Sequence, residues 1–168
     1  MELFRPVYLD TNIFILLGEG VQDERRAALL ELVASQRDGE QPSLCTSELT
    51  LAELLVDPFR NGDEDLVRLY DSWIVEGKSW LTVHPVSRDL LLTAAFLRSE
   101  FSALKLPDAI HVSTAIELEC SHILTFHRRL PSPIGISPKW FSNRVQTRRI
   151  DVVEQTPDLL EAIAAQTK

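Results

Sequence analysis

The alternation of short apolar runs with longer segments of helical periodicity constrains the fold of this chain most. Runs rich in β-branched and aliphatic residues predict strands, and they cover residues 7–9, 44–46, 80–84, 122–125 and 148–153. Apolar residues at three- and four-residue spacing predict helices, over residues 22–36, 48–56, 65–73, 88–101, 106–120 and 159–166. Strands that alternate with helices predict a three-layer α/β/α fold around a central, mostly parallel sheet.

The length of the chain fits one such domain. At 168 residues it can bury a sizeable core, but it is short for two domains. We therefore predict one domain over residues 1–153 and a helical extension over residues 154–168. Hydrophobic residues make up 45% and charged residues 25% of the chain, which is typical of an ordinary soluble globular protein.

Two further features bear on the compartment. No apolar run reaches the roughly 18 residues that a membrane-spanning helix needs, and the first residues lack the pattern of a secretory signal. We expect a cytoplasmic protein without membrane contact. Cys45 and Cys120 lack the spacing of a metal knuckle, so they are interpreted as buried, reduced thiols, with a disulfide as the alternative.

The charge is unevenly distributed. The net charge of −8 argues against a protein that coats nucleic acid by bulk electrostatics. Residues 120–150, however, contain no acid and six basic residues, Arg128, Arg129, Lys139, Arg144, Arg148 and Arg149. Without these six, 11 basic residues face 25 acidic ones in the rest of the chain. The sequence therefore predicts an acidic body with one basic segment.

Three acids stand out, and two of them have plain structural explanations. Asp10 follows the first predicted strand, where an aspartate often caps a helix or begins a turn. Asp108 falls in the first turn of a predicted helix, where an acid favours the helix dipole. Glu53 lies within the apolar segment 49–55, and a carboxylate in such surroundings usually needs a basic or metal partner. Functional groups of parallel sheets also collect at the carboxyl ends of the strands, where Asp10 is predicted to lie.

Together the acids carry a resemblance to a known family. Residues 7–14 (VYLDTNIF) resemble the opening of PIN domains, and residues 46–54 (TSELTLAEL) resemble the second motif of that family, with its glutamate at Glu53. Residues 106–115 (LPDAIHVSTA) resemble the third motif, with its aspartate at Asp108, and residues 123–127 (ILTFH) match the strand that ends the catalytic core. Order and spacing agree over residues 6–130. The chain is most similar in character to VapC-type toxins and other small prokaryotic PIN proteins.

This resemblance implies a hydrolytic endoribonuclease that depends on a divalent metal ion. Asp10 and Asp108 would be direct ligands of Mg²⁺ or Mn²⁺, which oxygen ligands suit, and Glu53 would be either a ligand or the group that orients the attacking water. Such an ion activates water and neutralises charge on the reacting phosphate. The residues expected to orient the carboxylates are Thr11, Asn12 and Thr125.

One position departs from the family pattern. The family usually has a further acid where this chain has His127. Imidazole suits Mn²⁺ better than Mg²⁺, so His127 is interpreted as a ligand of a softer cation, a contact to the phosphate, or a proton donor to the leaving oxygen. The alternatives are a lost second metal with weak activity, or a histidine with no catalytic role.

The expected partners follow from the same reasoning. Arg128, Arg129 and Lys139 are the predicted phosphate contacts of an RNA substrate, while Trp140 and Phe141 either stack an unpaired base or pack in the core. The resemblance also implies a cognate antitoxin and a homodimer, with the helices at 22–36 and 88–101 as candidate interfaces. Periodicity cannot separate an interface helix from a core one.

Two other functions compete with the nuclease. A catalytically weakened PIN-like domain that binds RNA or protein is favoured by His127 and by the acidic body. A phosphatase or phosphotransferase with Asp10 as nucleophile would require a second aspartate two residues later, where Asn12 stands.

Overall fold

A computed structural model describes residues 5–36, 43–75, 80–126, 130–136, 148–154 and 156–166. Its strands are β1 (Val7–Leu9), β2 (Leu44–Ser47), β3 (Thr82–His84), β4 (His122–Thr125), β5 (Ile134–Ile136) and β6 (Arg148–Glu154). Its helices are α1 (Thr11–Glu19), α2 (Glu24–Ser35), α3 (Glu48–Leu54), α4 (Val56–Asn61), α5 (Glu64–Trp73), α6 (Arg88–Glu100), α7 (Leu106–Glu117) and α8 (Pro157–Gln166). The elements alternate as the sequence predicts.

The strands form one sheet in the order β3-β2-β1-β4-β6-β5. The pairs from β3 through β6 are parallel, and β5 alone among the described strands runs antiparallel, against β6. In the central strand, Tyr8 lies opposite Cys45 on one side and Ile123 on the other. The predicted fold class, a mostly parallel sheet flanked by helices, is confirmed.

Helices cover both faces of the sheet. Side chains alternate between the faces of a strand, so Val7 and Leu9 of β1 join one core cluster, together with residues of α1, α2, α5 and α8. Tyr8 joins the other cluster, which is formed largely with α6 and α7. Because both faces are covered, the central strands are buried on both sides, and the carboxyl ends of β1 and β4 are left as the place where polar side chains can meet.

Three elements were missed by the sequence analysis. The chain forms α1 directly after Asp10, where only a turn or cap is predicted, and the cap is real because Asp10 accepts a hydrogen bond from the Thr11 amide. The helix α4 contains Pro58 in its first turn, where proline costs no hydrogen bond. Strand β5 lies in a proline-rich segment that favours a loop, and it needs only β6 as a partner.

The C-terminal helix shares the main core. Leu160 and Ile163 of α8 are buried in the same cluster as Leu29 and Leu32 of α2. Strand β6 ends at Glu154, so the predicted boundary between residues 153 and 154 falls within β6, one residue before the strand ends. The division into a domain and an extension stays a prediction.

Both cysteines are buried free thiols. Cys45 and Cys120 lie with their Sγ atoms 3.2 Å apart, and the Cys45 thiol also contacts the Val7 carbonyl at 3.6 Å. Burial, together with the hydrogen bond to Cys120, raises the pKa of Cys45 well above its usual value, so its thiol stays protonated. Across the described part of the chain, no helix combines the length and apolarity needed to cross a bilayer.

Candidate active site

Four elements bring polar side chains to the carboxyl edge of the sheet. Asp10 follows β1 directly, and its amide donates to the Leu124 carbonyl of β4 at 3.1 Å. Thr125 is the last residue of β4. The helices α3 and α7 supply Glu53 and His111, which contact each other. The edge predicted from the sheet topology therefore does gather functional groups.

Asp10 is held by a dense set of donors. Its side chain is only 8% exposed. The Oδ1 atom accepts from the Thr11 amide at 2.8 Å, while Oδ2 accepts from Asn12 Nδ2 at 2.8 Å and from Thr125 Oγ1 at 2.5 Å. A buried carboxylate needs such donors to offset its lost hydration, and together they fix the orientation of the Asp10 side chain.

Asn12 ties two chain segments together around Asp10. Besides its bond to Asp10, Nδ2 of Asn12 lies 3.1 Å from Thr125 Oγ1, and its Oδ1 accepts from the Phe126 amide at 3.1 Å. The first turn of α1 and the end of β4 are thereby joined through one amide side chain. The structure thus places Asn12 and Thr125 against the Asp10 carboxylate.

Glu53 reaches the same region from α3. Ser47 caps that helix, since its hydroxyl accepts from the Leu49 amide at 3.2 Å. The Glu53 side chain is 32% exposed. Its Oε2 atom accepts a hydrogen bond from Thr11 Oγ1 and lies 2.9 Å from His111 Nε2. Thr11 therefore bridges the two acids, because its amide contacts Asp10 and its hydroxyl contacts Glu53.

His111 is a site residue that the sequence analysis missed. Its imidazole is almost fully buried, with Nδ1 2.7 Å from the Tyr8 hydroxyl and Nε2 3.8 Å from Asp10 Oδ1. The signal was available in the sequence, because the reasoning that singled out Glu53, a polar residue within an apolar helix, applies equally to His111. Burial, reinforced by the nearby Cys45, raises the pKa of Tyr8 well above its usual value, so its hydroxyl stays neutral.

Asp108 lies in the first turn of α7 and is half-buried. It precedes His111 by three residues, a spacing that puts both side chains on one face of the helix. His127, Arg128, Arg129 and Lys139 lie outside the described residues, as do Trp140 and Phe141.

A protein-family model identifies the family to which these site residues belong. The sequence profile of the PIN domain matches residues 7–133, a span that includes every acid of the site. The chain belongs to the PIN-domain family.

Solved structures agree with this PIN assignment. A toxin–antitoxin complex from Klebsiella pneumoniae is 26% identical, with a TM-score of 0.50, covering 71% of this chain and 84% of that one. VapC20 of Mycobacterium tuberculosis, a toxin that cleaves the sarcin–ricin loop, is 18% identical, with a TM-score of 0.55 and coverage of 70% and 86%. VapBC2 from Rickettsia felis, bound to a promoter DNA fragment, is 20% identical, with a TM-score of 0.54 and coverage of 71% and 86%. The last two show likeness of fold alone. Among curated protein sequences, none matches this chain significantly.

The donor chemistry of this PIN site suits a hard cation, but the arrangement is not yet a ligand cluster. Carboxylate and hydroxyl oxygens are the ligands that Mg²⁺ prefers and Mn²⁺ accepts. Among the described residues, however, no group of three or more His, Cys, Asp or Glu side chains is arranged so that it could hold a metal ion. Oxygens of Asp10 and Glu53 are instead engaged by Thr11, Asn12, Thr125 and His111.

A cavity of about 260 Å³ adjoins the site. Thr125 contacts Asp10 on one side and lines this cavity on the other. The remaining lining residues are Phe126, Leu130, Ser132, Val152, Val153 and Glu154. The PIN site therefore opens beside a mixed apolar and polar depression between β4 and β6.

Proposed function

We propose that this PIN domain is a metal-dependent endoribonuclease. The observation that carries the proposal is the meeting of Asp10 and Glu53 in one hydrogen-bonded network at the carboxyl edge of a parallel sheet. Thr11 bridges the two carboxylates, and His111 Nε2 lies 2.9 Å from Glu53 and 3.8 Å from Asp10. Asp108 lies in the first turn of α7, the helix that carries His111. Oxygen donors collected at this edge suit phosphodiester hydrolysis better than general binding, because they suit a cation that would face the RNA phosphate.

The roles proposed for the residues follow from how each is held. Asp10 and Asp108 are proposed to hold Mg²⁺ or Mn²⁺, and the ion supplies activation of a water and neutralisation of phosphate charge. Glu53, which is more exposed than Asp10, joins them as a ligand or orients the attacking water. Asn12 and Thr125 keep the Asp10 carboxylate in one orientation through the bonds described above.

The decisive experiment is RNA cleavage by the purified, partner-free protein with Mg²⁺, with Mn²⁺ and with EDTA. Cleavage should require a divalent ion and should disappear in Asp108→Asn. Thermal unfolding provides an independent test, since an ion that binds only the folded state raises the melting temperature. Mn²⁺ should stabilise the unmodified protein and not the Asp10→Asn variant. Absence of both cleavage and stabilisation would overturn the proposal.

A second function is favoured by one observation. Within the described ranges no ready-made group of metal-binding side chains occurs, which favours a weakened PIN domain that binds RNA or protein. This alternative predicts RNA binding without cleavage and no stabilisation by Mn²⁺. The same two measurements therefore separate the two functions.

The basic segment is proposed to contact the RNA phosphates through Arg128, Arg129 and Lys139. Replacing Arg128 and Arg129 with alanine should reduce the salt dependence of RNA binding, because each phosphate contact releases counterions. A matched control replaces the exposed Arg60 and Arg68, which gives the same change in net charge. An equal change of slope in both double variants would rule out a local phosphate role.

We also propose a cognate antitoxin and a homodimer as partners. The Klebsiella pneumoniae structure is described as a toxin–antitoxin complex, and that likeness supports the antitoxin. The helices α2 and α6 carry exposed Leu30, Leu91 and Leu92, which supports them as interfaces. Sedimentation of the protein at several concentrations tests the dimer, and charged substitutions at Leu91 and Leu92 should dissociate it if α6 is the interface.

A further inference from the structure

The imidazole of His111 occupies a position that a purely structural side chain would not require. All residues from Ala109 to Ile116 on α7 are buried, and an apolar residue at position 111 would be ordinary there. A buried imidazole must instead find partners for both ring nitrogens, because unpaired buried polar atoms are costly. Its Nδ1 contacts the Tyr8 hydroxyl, and its Nε2 contacts Glu53, with the Thr11 hydroxyl more distant at 3.5 Å.

The identity of these partners fixes which nitrogen carries the proton. Glu53 Oε2, 2.9 Å from Nε2, is a carboxylate oxygen that can only accept, so Nε2 must carry a proton. The Tyr8 hydroxyl, 2.7 Å from Nδ1, then donates to that nitrogen. Tyr8 is fully buried, and its hydrogen bond to Nδ1 holds the ring in this tautomer.

We propose that His111, oriented by Tyr8, is the positioning residue that holds Glu53 against the Asp10 carboxylate. The imidazole Nε2 lies 2.9 Å from Glu53 Oε2 and 3.8 Å from Asp10 Oδ1, so its N–H group stands between two acids that would otherwise repel each other. Glu53 needs this support because a third of its side chain is exposed. The inference rests on the proposed function for its consequence, which is that Glu53, one of the proposed metal-site acids, is held in place before any cation binds.

The first test measures the affinity for Mn²⁺ alone by titration calorimetry. His111→Leu should weaken Mn²⁺ binding by about 10- to 100-fold, which is the usual effect of losing a group that orients a ligand. His111→Gln keeps an N–H donor near the position of Nε2 and should recover most of the affinity. Tyr8→Phe should give a smaller loss than His111→Leu. The matched control is His122→Leu, a half-buried histidine at the amino end of β4, which should bind Mn²⁺ as the unmodified protein does.

A double-mutant cycle separates positioning from general packing. If His111 acts through Glu53, then His111→Leu should cause no further loss of affinity in a Glu53→Gln background. Additive losses would overturn the proposal, and so would unchanged Mn²⁺ binding in a folded His111→Leu variant. If His111→Leu does not fold, His111→Gln and Tyr8→Phe carry the same decision, because equal losses in both would exclude a role for the donor at Nε2.

The last measurement distinguishes failure of this inference from failure of the proposed function. Nitrogen-15 NMR of the metal-free protein should show a protonated, hydrogen-bonded Nε2 at His111, and that signal should move in Glu53→Gln. An unprotonated Nε2, or a signal indifferent to Glu53→Gln, overturns the positioning role. A protein that cleaves no RNA and binds no Mn²⁺ yet shows this hydrogen bond would refute the nuclease and leave the positioning of Glu53 supported.

Discussion

Asp10 and Glu53 meet at one edge of the sheet but are held there by different means. Two of the donors to Asp10, the Thr11 amide and the Asn12 side chain, lie within two residues of it. The donors to Glu53 come from Thr11 and His111, which are 42 and 58 residues away. The side chain of Asp10 is 8% exposed and that of Glu53 is 32% exposed.

The two carboxylates therefore differ in what fixes their positions: residues next to it in the chain hold Asp10, and the packing of separate helices holds Glu53. The orientation of Asp10 is set largely by the first turn of α1, because its donors are built into the adjacent chain. The position of Glu53, on α3, depends on how that helix packs against α1 and α7, because its hydrogen-bond donors are Thr11 of α1 and His111 of α7. Substitutions on the Asp10 side should therefore cost more, in both activity and stability, than matched substitutions on the Glu53 side.

The largest expected effect separates the two acids themselves. Asp10→Asn should lower RNA cleavage by more than the roughly 10- to 100-fold typical of an orienting residue, because a proposed ligand is lost. It should also lower the free energy of unfolding by about 1–3 kcal/mol, since a buried donor loses its acceptor. Glu53→Gln should reduce both quantities less. Cleavage assays measure the activity of the two variants, and urea unfolding measures their stability. A larger loss in Glu53→Gln than in Asp10→Asn would contradict the expected order.

Two threonines test the same contrast, because each donates a hydrogen bond to one of the two carboxylates. Thr125→Val removes a buried hydroxyl that donates to Asp10, and Thr11→Val removes the hydroxyl that donates to Glu53. Both should weaken activity by about 10- to 100-fold, with Thr125→Val at the upper end because its surroundings exclude water. Kinetics at saturating Mn²⁺ and urea unfolding decide the order, and equal effects would mean that burial does not distinguish the two acids.

The smallest expected effect concerns the helix that presents Glu53. Ser47→Ala should lower the free energy of unfolding by about 1 kcal/mol, the usual cost of losing an N-cap. Ser87→Ala is the matched control, because Ser87 caps α6 through a comparable bond to the Leu90 amide at 3.1 Å. Both variants should lose similar stability, and only Ser47→Ala should also weaken Mn²⁺ binding. Weaker binding in Ser87→Ala would mean that the effect is general destabilisation.

The fold was largely predictable because its signals are local. Strand and helix periodicity, the cap at Ser47 and the proline that opens α7 all act within a few residues, and these elements formed close to their predicted bounds. The missed elements have nonlocal or unusual causes. Strand β5 exists because β6 offers it a partner, and α1 is so apolar that its sequence lacks a clear polar face.

The sequence by itself determined the class of fold, the membership of the PIN family that the later comparison confirmed, and the acids worth considering. Only the tertiary structure decided how those acids are held. Tyr8 and His111 are 103 residues apart, and His111 and Glu53 are 58 apart, so no periodicity links them. They come into contact because β1 lies between β2 and β4 in the sheet and α7 packs on the face of the sheet that carries Tyr8. The buried imidazole of His111 therefore has a tyrosine and a glutamate as its partners.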